Sequence, residues 1–178
     1  MTCIVGIEFG GKVILGGDIQ GTGGNTKVVH TQPKVFIRGG VAFGYTSSYR
    51  FGQIVEHCMD TPVPPAGDED IYRWLITVLA PSMKDALGRH GYQGGGNCLI
   101  GVRGQLWEMQ DDFSVIRSKL GYATVGSGME YALGSIFADQ ASRPPRTDSE
   151  AAQMARNAVQ AAGTFSPSVG TEAEVVST

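Results

Sequence analysis

Three times this chain doubles back on itself across glycine, and that repetition limits its fold more than any other feature. Residues 2–9 and 12–17 flank Gly10-Gly11, residues 34–37 and 41–45 flank Arg38-Gly39-Gly40, and residues 97–102 and 105–109 flank Arg103-Gly104. Short apolar runs joined this way read as β-hairpins, because the favoured tight turns need the positive φ that glycine adopts freely. The 26 glycines suit a strand-rich chain with many such turns. Helical periods separate the hairpins. Thr46-Ser47-Ser48 offers capping hydroxyls ahead of Phe51, Ile54, Val55 and Cys58. Asp68-Glu69-Asp70 puts acids in the first turn of a second helix through Trp74, Leu75, Val78 and Leu79 towards Leu87, with a kink or restart at Pro81.

Residues 19–31 are polar and glycine-rich, so a loop or a short irregular hairpin is expected there. Residues 114–116 read as an edge strand, and residues 122–125 as a strand that enters Gly126-Ser127-Gly128 and then a helix over 129–141. After Pro144-Pro145, Thr147 and Glu150 form a capping box for a helix through Ala152, Ala155, Ala158 and Ala162. A turn over 166–170 and an edge strand at Val175-Val176 complete the chain. The order is strands, two helices, strands, two helices. It predicts an α+β chain of antiparallel sheets with helices on their outer faces, not an alternating βαβ fold. No repeat or linker divides residues 1–178, so one domain is expected.

Composition removes several function classes. A net charge of -3 gives no electrostatic case for nucleic acid or for an anionic membrane surface. No apolar stretch reaches the ~18–20 residues of a spanning helix, and no basic-then-apolar leader precedes Thr2. Cys3, Cys58 and Cys98 are odd in number and widely spaced, which fits reduced thiols in a cytoplasm rather than disulfides or a zinc site. His30, His57 and His90 lack metal-ligand spacing, and no metal or cofactor is expected. Cys3 alternates to the strand face opposite Thr2 and reads as core. A lone Gly126-Ser127-Gly128 without a G-x-x-x-x-G-K-[ST] word is weak evidence for nucleotide binding.

Thr2 is the residue with chemistry to offer. It follows Met1, and aminopeptidases trim an initiator methionine when the next side chain is small. Trimming would place a hydroxyl and a free α-amine on one residue. The amine, with a reference pKa near ~8, can take the hydroxyl proton near neutral pH, which makes a nucleophile–base pair on a single residue. Asp18 ends the strand beside Thr2, Lys34 starts the third strand, and Ser127 stands where a strand turns into a helix.

Together these words resemble the proteasome β subunits and, more closely, the bacterial HslV peptidase, both N-terminal-nucleophile (Ntn) hydrolases. The matching residues are Thr2-Cys3-Ile4-Val5-Gly6, Gly16-Gly17-Asp18, Gly21 through Asn25-Thr26, Lys34-Val35, Gly44-Tyr45-Thr46-Ser47, and Val125-Gly126-Ser127-Gly128 followed by Tyr131-Ala132. Short HslV-like proteins of bacteria and phages carry a similar Phe43-to-Ser48 segment. The resemblance implies a four-layer αββα sandwich. It implies Thr2 as nucleophile, Lys34 as the cation beside it, Asp18 as the partner of Lys34, Ser127 near the Thr2 amine, and the Ser47 backbone N–H, where the family often has Gly, as oxyanion donor. The family also has an Asp after its last helix, supporting the serine and the amine. Thr164 stands at that position, with Ser166 and Ser168 nearby.

The implied function is threonine-dependent hydrolysis of peptide or amide bonds without cofactor. The implied partners are a polypeptide or peptide substrate, further copies of the chain in a homo-oligomeric ring, and an AAA+ ATPase unfoldase. Two other readings stay open: an Ntn-fold structural or assembly subunit that has lost hydrolysis, and a small-molecule amidase using the same site.

Overall fold

Apolar residues alternate along the hairpin strands, and that alternation divides the core into layers. A computed structural model describes residues 2–23, 26–67 and 70–178. Met1, the Gly24-Asn25 part of the word ending at Thr26, and the acids Asp68 and Glu69 lie outside the described residues. The strands are β1 (Cys3–Phe9), β2 (Lys12–Asp18), β3 (Gln20–Gly23), β4 (Thr26–Val29), β5 (Val35–Arg38) and β6 (Val41–Tyr45), then β7 (Cys98–Val102), β8 (Gln105–Met109), β9 (Val115–Ile116), β10 (Tyr122–Gly126) and β11 (Ala173–Ser177). The helices are α1 (Tyr49–His57), α2 (Ile71–Trp74), α3 (Ala80–Arg89), α4 (Met129–Ser142) and α5 (Asp148–Phe165).

One sheet has the order β10-β1-β2-β11 and the other the order β5-β6-β7-β8-β9, every pairing antiparallel. The segment expected as a loop or irregular hairpin is a regular one, with β3 paired to β4. In β1, Cys3, Val5 and Ile7 face outward and pack with Ala132 and Ile136 of α4 and with Ala155, Ala158 and Val159 of α5. Ile4 faces the other way and joins Val13, Leu15, Val35, Ala42, Leu99 and Val125 between the sheets. Val41, Phe43 and Tyr45 of β6 face out of the second sheet and pack with Phe51 and Ile54 of α1 and with Leu75, Leu79 and Met83. Helices, sheet, sheet, helices: this is the expected four-layer αββα arrangement. Each buried aliphatic or aromatic side chain of these cores contributes roughly 1.5–3 kcal/mol.

Pro81 stands in the first turn of α3, which starts at Ala80, so the helix restarts there as expected. A π-helical turn over Leu75–Leu79 joins α2 to α3, and this wider turn just upstream accommodates a ring that lacks an N–H. Asp70 sits one position before α2 instead of inside its first turn, and its carboxylate accepts the Arg73 N–H at 3.1 Å. Thr147 caps α5 by accepting the Glu150 N–H, but Glu150 returns its carboxylate to the Arg146 N–H instead of to that of Thr147. Among the described residues no helix is long and apolar enough to cross a membrane.

The two sheets approach closely where β1 crosses β6. A Cβ on Gly44 would stand 2.5 Å from Cγ2 of Ile4. Gly44→Ala is therefore expected to lower the unfolding free energy by about 1–3 kcal/mol, the range for overpacking a filled core. Urea denaturation reads this, and an unchanged midpoint would contradict the close contact.

Candidate active site

The site forms where the ends of several strands bring buried charge together. Asp18, the last residue of β2, is fully buried. Its Oδ1 accepts the Cys3 N–H at 2.9 Å, and its Oδ2 accepts the N–H groups of Gln20 at 3.2 Å and Gly170 at 3.1 Å. Lys34, immediately before β5 and 2% exposed, donates to both carboxylate oxygens at 3.0 Å and to the Gln20 carbonyl. A buried carboxylate and ammonium are tolerable only when paired and hydrogen-bonded in this way. Burial holds the Lys34 ammonium below the usual lysine value of 10.5, with Asp18 pulling the other way. Burial first, and Asp18 next, push the Cys3 thiol up to about 12, so it stays protonated in the core between β1 and α5.

Thr2 leads into β1 and is 5% exposed. Gly126-Ser127-Gly128 wraps it. Gly126 has φ 100°, and a Cβ there would lie 2.2 Å from the Thr2 carbonyl oxygen. The Thr2 N–H donates to Ser127 Oγ at 3.3 Å, and the Gly128 N–H donates to the Thr2 carbonyl at 3.4 Å. This use of the glycine-serine-glycine turn gives it a packing role against Thr2. From Ser127 a chain of hydroxyls continues to Ser168 at 3.1 Å and on to Ser166 at 3.0 Å.

Ser47 adopts φ 74°, the left-handed region, which accounts for glycine being common there in the proteins this chain resembles. Its neighbours' amides are committed: Thr46 N–H to the Asn97 carbonyl and Ser48 N–H to the Thr46 carbonyl, both at 3.0 Å. Thr2, Lys34 and Ser47 line one cavity of about 130 Å³, together with Gln20, Thr22, Tyr45 and Tyr49. Lys34 directs its hydrogen bonds to Asp18 and Gln20, and among the described residues none joins it to the Thr2 hydroxyl. A larger cavity of about 550 Å³ beside Asp139, Arg143 and Glu150 shares no residue with this one.

The structure therefore brings together Thr2, Asp18, Lys34, Ser47 and Ser127, and it leaves Thr164 out. The sequence reading ends α5 near Ala162, but the helix continues to Phe165. Thr164 is thus still helical and exposed, and its hydroxyl donates back to the Gln160 carbonyl at 2.8 Å. The inward-facing hydroxyls come two and four residues later, from Ser166 and Ser168, both buried. The signal was the Ser166-Pro167-Ser168 word. A residue before proline is driven to extended backbone, and Ser166 caps α5 with φ -105° and ψ 120°.

Because the Asp18–Lys34 pair is buried, removing one partner should be costly. Lys34→Met is expected to destabilise the fold by about 3–5 kcal/mol, and adding Asp18→Asn should recover much of that loss. A Lys34→Met chain as stable as wild type in chemical denaturation would contradict the pairing.

No family model matches the chain, and no curated protein matches it. Solved structures do. A structure of Thiobacillus denitrificans BPH in complex with epoxomicin is 22% identical, covers 99% of this chain and 97% of that chain, and superposes with a TM-score of 0.81. HslV from Trypanosoma brucei is 18% identical, covers 98% of each chain and gives 0.67. An Anbu (Gly-1) mutant from Hyphomicrobium sp. strain MC1 is 16% identical, covers 99% of this chain and 80% of that chain, and gives 0.71. At these identities the likeness is one of fold, and the fold is that of the Ntn hydrolases, as the sequence words imply.

Proposed function

We propose that the chain is a threonine-type peptidase or amidohydrolase whose nucleophile, Thr2, becomes active when Met1 is removed. The observation that carries this reading is the sharing of one small cavity by Thr2, Lys34 and Ser47, with Asp18 bonded to the lysine. Trimming would turn the Thr2 nitrogen into an α-amine within reach of Ser127 Oγ. That amine takes the Thr2 hydroxyl proton, directly or through water, as Oγ attacks the carbonyl carbon of the substrate. The Lys34 ammonium stabilises the alkoxide as it forms, and the Ser47 N–H donates to the oxyanion. Collapse of the tetrahedral intermediate passes the proton to the leaving amine and leaves an ester on Thr2. Water, deprotonated by the same α-amine, then hydrolyses the ester and restores the hydroxyl.

Ser127, Ser168 and Ser166 orient the amine on this reading, a chain of neutral hydroxyls standing where Thr164 was expected to act. The fold shared with HslV and with a BPH that binds epoxomicin supports the assignment. The substrates are peptides or unfolded polypeptides. The working assembly is a homo-oligomeric ring in the cytoplasm, and an AAA+ unfoldase is the partner suited to feed it. A non-hydrolytic subunit is the second reading, and what favours it is that the hydroxyl chain behind Ser127 holds no carboxylate among the described residues.

Hydrolysis of unfolded casein by the full chain tests the reading. Thr2→Ala is expected to abolish cleavage and Thr2→Ser to keep part of it; hydrolysis that survives Thr2→Ala would overturn the assignment. The rate should rise with pH as the α-amine, near ~8, loses its proton. It should fall again below the usual lysine value of 10.5, because burial makes the Lys34 ammonium release its proton earlier than an exposed lysine does. Lys34→Arg, in whatever activity it keeps, should lose that alkaline limb.

A further inference from the structure

One threonine joins the turn around Thr2 to the backbone that carries Ser47. Thr46 follows β6 directly and is 6% exposed. Its N–H and its hydroxyl both donate to the Asn97 carbonyl, at 3.0 and 2.9 Å. A single oxygen just before β7 thus holds Thr46 by backbone and by side chain. The Thr46 carbonyl accepts the Ser48 N–H at 3.0 Å. Its methyl lies over the turn that wraps Thr2, since a Cβ on Gly126 would stand 3.2 Å from Thr46 Cγ2.

A threonine hydroxyl has one proton to give. Thr46 gives it to Asn97, so in the 3.3 Å contact between Thr46 Oγ1 and Ser47 Oγ the serine is the donor. The Ser47 side chain is therefore tied to Thr46 as well. These bonds matter because Ser47 stands at φ 74°, a conformation that costs a non-glycine residue free energy and lasts only where the surroundings impose it. The peptide group between Thr46 and Ser47 carries the Ser47 N–H. Without the side-chain anchor on Asn97, that peptide is freer to turn towards a less strained conformation.

We infer that Thr46 is a positioning residue for the reaction: its hydroxyl, anchored on the Asn97 carbonyl, holds Ser47 in the left-handed conformation in which its N–H serves the oxyanion. The methyl of Thr46, resting on Gly126, sets the spacing between that donor and the turn on Thr2. The inference rests on the threonine-peptidase reading above. A glycine at position 47 would hold this conformation at little cost; a serine there needs the anchor.

The test uses the full chain, a set of fluorogenic peptides and the matching peptide aldehydes, whose adduct with Thr2 mimics the tetrahedral intermediate. Thr46→Val keeps the shape and the methyl and removes the hydroxyl. It is expected to lower kcat about tenfold, less than the roughly hundredfold loss for deleting an oxyanion donor outright, and to weaken the aldehyde by about the same tenfold factor. KM should stay within about twofold of wild type, because the bond acts in the transition state. Thr46→Ser keeps the hydroxyl, and its kcat should stay within about threefold of wild type. In a Ser47→Gly background the left-handed conformation needs no anchor, so Thr46→Val should cost less than about threefold. A Thr46→Val chain with wild-type kcat, a loss that falls on KM instead, or the same tenfold loss in both backgrounds overturns the positioning role and leaves the threonine chemistry standing. So does a Thr46→Ser chain that loses as much kcat as Thr46→Val. A wild-type chain that cleaves none of the peptides and forms no aldehyde adduct overturns both.

Discussion

The buried pair of Asp18 and Lys34 is the interaction on which the rest of the site depends. One partner ends a strand of the first sheet, and the other leads into a strand of the second. Neither charge is stable inside the protein alone, so the chain must bring backbone donors to the carboxylate and a backbone acceptor to the ammonium. The groups that answer are the N–H of Cys3, of Gln20 and of Gly170, and the Gln20 carbonyl. Through those bonds the pair fixes the start of β1, the start of β3 and the loop before β11 around one point. Thr2 is held there as a consequence: its neighbour Cys3 is tied to Asp18 by one face of the backbone, and Gly126-Ser127-Gly128 closes over the other.

Much of this was legible in the sequence because it follows from local rules. Gly10 and Gly11, with φ of 56° and 76°, announce the first hairpin, and alternation assigns Cys3 and Ile4 to opposite faces of β1. Spacing places Asp18 and Lys34 at strand ends, where the structure finds them. Legibility fails where a choice is tertiary. Nothing local distinguishes a helix that stops at Ala162 from one that continues to Phe165, and those three residues decide whether Thr164 turns inward or lies on the surface. The hydroxyl chain through Ser168 could not be read because its partner, Ser127, is 41 positions away. The π-helical turn before Pro81 has no local signature in the sequence.

The site also holds one residue in strained backbone. Ser47 holds a left-handed conformation that glycine would adopt at less cost, and it does so between two amides already bound to carbonyls. Ser47 itself lines the cavity that Thr2 and Lys34 share. Strain at such a position persists only where the surroundings over-determine it. Here Ser48, the next residue, caps α1, which fixes the chain on the far side.

All of the proposed chemistry requires that Thr2 carry its own free amine. The most direct measurement is the intact mass and terminal residue of the purified, untagged full chain. That chain is expected to begin at Thr2 with an unblocked nitrogen. A chain that keeps Met1, and so an amide where the base should stand, would contradict it.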